Sequence, residues 1–182
     1  MPPAERAAGS SRPMPRLLLL AAAVLLLARV ATGVWEQRRA PQVAERIAWV
    51  EIRNAETESR RTHKPILYEF GAEWCGPCQT MSKEVFSDDA AVARIEQTFV
   101  PVRVLDRQQE DGRNPPEVER LQQAYKIAAF PTLVATWPGS QHFEMTDGYP
   151  GRAATEQWLA RAAVTLSTQP PGAAVDSVLP LR

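Results

Sequence analysis

Apolar positions along this chain change period several times between residues 43 and 167, and each change marks an expected element. Val43, Ile47 and Val50, widened by Trp49 and Ile52, fall at helical spacing, so residues 43–61 read as an amphipathic helix. Ile66-Leu67-Tyr68-Glu69-Phe70 is a short β-favouring run and reads as a strand. Residues 75–86 follow as a helix, with no breaker after Pro77. A second helical stretch starts at Asp88 or Asp89, either of which can cap it, and ends near Gln97. Residues 99–105 read as a strand, 107–116 as a polar loop and 117–125 as a helix. A strand over 132–136 closes at Trp137-Pro138-Gly139, residues 141–145 form its hairpin partner, and 154–166 are the last helix. This alternation predicts an α/β domain: a central mixed sheet flanked by helices, with an extra amphipathic helix at its N-terminal side.

The first 35 residues follow a different rule. Residues 17–28 are an unbroken stretch of Leu, Ala and Val, preceded by Arg6, Arg12 and Arg16 with only Glu5 against them, which is the pattern of an export signal. The run is shorter than the roughly 20 residues of a membrane span, and Arg29 interrupts it. Two versions follow. Cleavage near Ala31-Thr32-Gly33 gives a secreted protein. Alternatively, Val30 to Trp35 complete a single-pass anchor, with Arg29 snorkelling and Trp35 at the interface. Both place the bulk of the chain outside the cytoplasm, in a periplasmic or other extracytoplasmic space. The run has no polar face, which argues against a buried helix of the soluble domain.

Without that leader the chain has the length of one domain with a single core, over residues 41–167, expected to act as a monomer. The 16 prolines gather mainly in the leader, in Asn114-Pro115-Pro116 and in the tail. Residues 168–182, with adjacent prolines and small side chains, read as a disordered tail. Twenty-one basic residues balance 21 acidic ones, and no basic stripe runs along any segment, which argues against nucleic acid as a partner. No metal, nucleotide or flavin site is visible, so no cofactor is expected.

The candidate chemistry lies in Trp74-Cys75-Gly76-Pro77-Cys78, which holds the only two cysteines of the 182 residues. They fall where the strand hands over to the helix. Unpaired N–H groups and a partial positive charge at a helix start favour an anionic sulfur, and Cys75 is placed to receive them. Lowering a thiol pKa from about 8.5 to about 7 takes roughly 2 kcal/mol and makes about half of it thiolate at neutral pH. Cys78, one turn on, is within reach of Cys75, and Gly76-Pro77 lets the small ring close. Three other readings compete with a redox pair. Zinc needs four ligands, and His63 and His142 stand in no finger-like spacing. A structural disulfide across so short a loop constrains little of the unfolded chain. Two unrelated neighbouring thiols are the third. A redox-active dithiol fits best.

These residues resemble a known family, the thioredoxins. The run from Tyr68 to Cys78 is similar to the thioredoxin active-site segment, and Ile127-Ala128-Ala129-Phe130-Pro131-Thr132 to the later segment that carries the family's cis-proline. The resemblance covers roughly residues 44–167. Lys64-Pro65-Ile66-Leu67 and Glu84-Val85-Phe86-Ser87-Asp88 with Val92 narrow it to the branch holding the C-terminal domain of DsbD-type interchange proteins. It implies a thioredoxin fold and thiol–disulfide exchange, with Cys75 attacking and Cys78 resolving. Protein disulfides would be the substrates, and a membrane-embedded electron donor of the DsbD kind the partner. Reduction is the implied direction. A net oxidant or isomerase, or a partner-binding or holdase module whose cysteines are secondary, stays open beside it.

The resemblance also gives roles to neighbouring residues. Strand alternation puts Glu69 on a face with Leu67, where a carboxylate needs a reason to be covered. Glu69 matches the buried acid that exchanges protons with the second cysteine, one methylene longer than the family's usual aspartate. Pairing with a base such as Arg103 is the competing account. Pro131 is implied to be cis, with Phe130 before it pairing with substrate. Trp74, Gly76 and Pro77 form the substrate-binding rim, while Trp49, Trp137 and Trp158 read as packing aromatics.

Overall fold

The computed structural model describes residues 16–38 and 45–168. Arg6, Arg12 and the tail 169–182 lie outside the described residues, as does Val43 at the start of the expected helix 43–61. Two units are described separately. The first holds α1 (Arg16–Arg38), whose apolar residues Leu18, Leu20, Val30 and those at 24–27 are exposed. Among the described residues, no helix is long and apolar enough to cross a membrane.

The second unit is built on a four-stranded sheet in the order β2-β1-β3-β4. β1 (Ile66–Ala72) runs parallel to β2 (Val100–Asp106) and antiparallel to β3 (Thr132–Thr136), which pairs antiparallel with β4 (Phe143–Asp147). The sheet is mixed, as the sequence predicts. Every residue of β1 is buried, as befits a strand with partners on both sides and helices over both faces. One face packs Leu67, Leu133 and Ala135 against α3 (Gly76–Met81), α4 (Asp89–Thr98) and α7 (Arg152–Ser167) through Met81, Ile95, Trp158 and Leu166. The other packs Ile66, Tyr68, Phe70, Val102 and Val134 under α2 (Ala55–Thr62) and α6 (Pro116–Ala124). Each fully buried large apolar side chain contributes about 1.5–3 kcal/mol.

Local chemistry sets the boundaries. Asp88, not Asp89, caps α4: its Oδ1 accepts from the Ala91 N–H at 2.9 Å, and its carboxylate also pairs with Arg152 of α7. Gly139 has φ 73° in the hairpin after Pro138, and Ser140 N–H reaches Trp137 O at 3.1 Å; only a left-handed residue closes that turn without strain.

The expected helix over 43–61 is present only in its second half. Residues 45–51 form neither helix nor strand and bend at Ile47, a 3-10 turn spans Ile52–Asn54, and α2 begins at Ala55. The N–H groups of Arg46, Ala48 and Val50 donate to Phe86 O, Glu96 Oε1 and Pro101 O in turn. Those alternate partners outside the segment keep it from closing helical hydrogen bonds of its own, and Val50 adds a parallel bridge to Val102. Its apolar residues are covered as expected, but Glu45, Ile47 and Trp49 share a face through a period of two, not 3.6. The expected polar loop 107–116 is also organised. A short helix α5 (Gln108–Asp111) opens it, and buried Asp106 anchors it by accepting from Asn114 Nδ2 (2.6 Å), Gln122 Nε2 (2.8 Å) and Gln108 N–H (3.0 Å).

Candidate active site

β1 ends at Ala72, and after three intervening residues the chain enters α3 at Gly76. Cys75 occupies the N-cap of that helix: its Sγ accepts from the Cys78 N–H at 3.2 Å, so an unpaired backbone donor of the first turn is aimed at the sulfur. Gly76 and Pro77 form the first turn, where a missing N–H costs nothing. Cys75 and Cys78 are joined as a disulfide, with S–S 2.06 Å and Cα–Cα 5.3 Å. The pair packs with Ala72 and half-buried Phe130. Beyond Met81 the active-site helix continues as a π-helical turn, Ser82–Phe86.

The expected rim assembles around the disulfide. Trp74 is 50% exposed and meets the Phe130 ring edge-to-face at 6.0 Å. Gly76 and Pro77 are exposed beside it. The Phe130–Pro131 bond is cis, as the resemblance implied, and Pro131 is fully buried, its carbonyl accepting from Gly148 N–H at 2.7 Å. Trp137 and Trp158 are core residues, and Trp49 packs edge-on against Phe86 at 5.0 Å. The exposed ion pair Glu73–Arg107 (2.8 Å) brings the loop after β2 to the edge of the site.

Glu69 lies beneath the disulfide, 2% exposed. A methyl group placed on Gly71 would stand 2.7 Å from Glu69 Oε1 and 3.5 Å from Cys78 Sγ, so carboxylate and sulfur border one small space that only glycine leaves open. The parallel register sets Glu69 opposite Arg103, and Arg103 Nε donates to Glu69 Oε2 at 2.8 Å. Both expected environments of this acid therefore occur together: it is paired with Arg103 and it adjoins Cys78. Burial pushes the Glu69 carboxyl up, and the Arg103 charge and hydrogen bond only partly offset that.

Sequence reasoning missed Glu45. Its carboxylate receives both Nη groups of Arg103 (2.7 and 2.8 Å), the Trp49 Nε1–H (2.6 Å) and the Ser82 hydroxyl. Arg103 is also stacked over Trp49, its Cζ 4.3 Å from the ring centroid. Facing charges at Glu69 and Arg103 within two apolar strands were a readable signal. Glu45 joins them from 58 residues away and had none.

Such an arrangement can hold one sulfur as a thiolate at a helix start and carry a titratable acid beside the other. Comparison with known proteins gives the family. A family model described as a thioredoxin-like domain matches residues 52–163, more than half of the chain. Among curated proteins, the thiol:disulfide interchange protein DsbD of Vibrio vulnificus (strain CMCP6) is 29% identical over 93 residues, covering 48% of this chain and 15% of the length of DsbD. A thioredoxin of Mycobacterium bovis is 26% identical over 126 residues, covering 68% of this chain and 97% of that protein. The solved structure of a DsbH oxidoreductase aligns at 23% identity with a TM-score of 0.56, covering 69% of this chain and 90% of that one, which shows the shared fold. The chain therefore belongs to the thioredoxin-like oxidoreductase family, with Cys75 and Cys78 as its CxxC disulfide.

Proposed function

We propose that this protein is an extracytoplasmic thiol–disulfide oxidoreductase that reduces protein disulfides. The observation that carries this reading is the Cys75–Cys78 disulfide at the start of α3, with cis Phe130–Pro131 packed beside it. In the reduced protein, the Cys75 thiolate attacks one sulfur of a substrate disulfide. A Cys75–substrate bond forms, and the other substrate sulfur leaves as a thiolate. Cys78 passes its proton to the Glu69 carboxylate across the space beside Gly71. The Cys78 thiolate then attacks Cys75 Sγ, forming the internal disulfide as the Cys75–substrate bond breaks. Two electrons have moved to the substrate, whose thiolates take protons from water. The resulting oxidised form is the one in the structure.

Substrate is held by the rim. Trp74 and Phe130 offer apolar contact, and the backbone of Phe130, outside the strands beside the disulfide, can pair with an extended segment. Return to the dithiol requires an electron donor, which we assign to a membrane-embedded conductor of the DsbD kind, on the resemblance to DsbD and the export pattern of the leader. The apolar run 17–28, with its basic flank, carries the chain out of the cytoplasm, either as a cleaved signal or as a retained tether.

Reduction of insulin disulfides by the dithiothreitol-reduced protein tests the reading. Wild type is expected to precipitate insulin chains catalytically and Cys75→Ser to lose that activity while still binding unfolded chains. A wild-type protein with no exchange activity at all, in reduction or in oxidation, would leave only the binding-module reading. Periplasmic recovery of the expressed protein, with its N-terminus sequenced, tests the export assignment and separates cleavage from tethering.

A further inference from the structure

Two carboxylates share one guanidinium in this domain, and they share it unequally. Glu45 takes both Nη groups of Arg103 and is completed by the Trp49 indole N–H and the Ser82 hydroxyl. Among the described residues, Glu69 receives only the Nε–H. Among the described residues, the groups facing Glu69 are Arg103 from β2, Glu45 from the segment 45–51 and Cys78 from α3, while β3 sets apolar Leu133 opposite it in register.

We propose that Glu45 is a positioning residue for the exchange chemistry: by occupying the Nη face of Arg103 it leaves Glu69 under-compensated and makes Glu69 the member of the pair that takes up a proton. Two titratable groups pushed apart by their surroundings divide into a fixed charge and a working acid. Four donors reach Glu45, and with burial set against them they hold its carboxyl below the usual range. At Glu69, burial prevails over Arg103. The arrangement depends on the non-helical course of residues 45–51, whose N–H groups at Arg46, Ala48 and Val50 are held by Phe86 O, Glu96 Oε1 and Pro101 O while Glu45 reaches the end of Arg103. Ser82 lies where the active-site helix turns from α to π, so the same contact ties Glu45 to the element that carries Cys78. The inference rests on the reading above that Glu69 receives the Cys78 proton.

Carboxyl carbon titration by NMR, on the full-length oxidised protein, tests it without reference to turnover. In wild type, Glu69 is expected to titrate at higher pH than Glu45. In Glu45→Gln the Glu69 midpoint moves towards acid, because Arg103 then serves Glu69 alone. The acid limb of the insulin-reduction profile moves the same way. A Glu69 midpoint unmoved in a folded Glu45→Gln protein would overturn the proposal. So would the opposite order of the two midpoints in wild type, a measurement that stands even if Glu45→Gln does not fold. If the midpoint moves and the activity profile does not, the hold of Glu45 on the Glu69 proton stands, but the proton-transfer role of Glu69 falls and the positioning role in exchange falls with it.

Discussion

Glu69 in the middle of β1 and Asp106 at the end of β2 are both buried carboxylates on neighbouring strands, yet they are satisfied in opposite ways. Burial pushes the Asp106 carboxyl up, but the hydrogen bonds from Gln122, Asn114 and the Gln108 N–H outweigh it and hold Asp106 below the usual carboxylate range. Glu69 has one bond, from a guanidinium that also serves Glu45, and burial prevails. The difference teaches what each acid does. A carboxylate with three neutral donors is a fastener, here for the loop that follows β2. One left with an unfilled electrostatic need beside a cysteine can hold a proton and give it back.

The largest expected effect falls on the fastener. Asp106→Ala removes three hydrogen bonds, leaving Gln122 Nε2 without its acceptor and Asn114 Nδ2 with only the longer bond to Gln122 Oε1 (3.3 Å), which costs about 3 kcal/mol of stability. Urea denaturation measures it, and the disulfide exchange rate per folded molecule is expected to stay within about twofold. Equal losses in stability and rate would erase the distinction between the two acids.

Glu69→Gln should behave in reverse. Its exchange rate at neutral pH is expected to fall about a hundredfold, the usual worth of a positioned proton acceptor. Stability follows from the sign of each shift. A raised pKa means that the folded chain holds the proton more tightly than the unfolded one, so the Glu69 contribution is full below about pH 4.3 and is lost as pH rises through the raised value. Glutamine never ionises, so the variant gains stability relative to wild type on the alkaline side of that window. Asp106 runs the other way: its contribution is present above about pH 3.9 and is lost as pH falls through the lowered value. Denaturation midpoints against pH show both, and a Glu69→Gln protein that loses stability relative to wild type as pH rises would contradict the assignment.

Gly71→Ala is a smaller and more local probe. The added methyl would meet Glu69 Oε1 at 2.7 Å, which crowds the carboxylate and costs about 1–2 kcal/mol. Exchange should slow while the Asp106 loop keeps its amide-exchange protection. Slowed exchange accompanied by loss of that protection would show that the two acids are not independent.

Much of this contrast was half legible in the sequence. The Cys75–Cys78 spacing and the apolar run into it identify the site, because strand and helix start are both local features. The alternation within β1 correctly put Glu69 on the face of Leu67, and both are buried. Residues 45–54 were legible in burial and not in conformation: Ile47, Trp49 and Val50 satisfy either period, and the carbonyls of Phe86 and Pro101 decide between them from far away in the chain. Loop 107–116 showed only polar residues, since Asp106, Asn114 and Gln122 become a cluster only when β2 and α6 are packed together. The cis bond before Pro131 came from family resemblance; nothing in Phe130-Pro131 by itself calls for it.

The central claim is that Cys75 attacks and Cys78 resolves, and trapping tests it most directly. Cys78→Ser, expressed with its leader and isolated after acid quenching, should carry partner proteins as mixed disulfides on Cys75 that dithiothreitol releases and mass spectrometry maps to that residue. Adducts no more abundant than those of the Cys75→Ser, Cys78→Ser double variant would contradict the account.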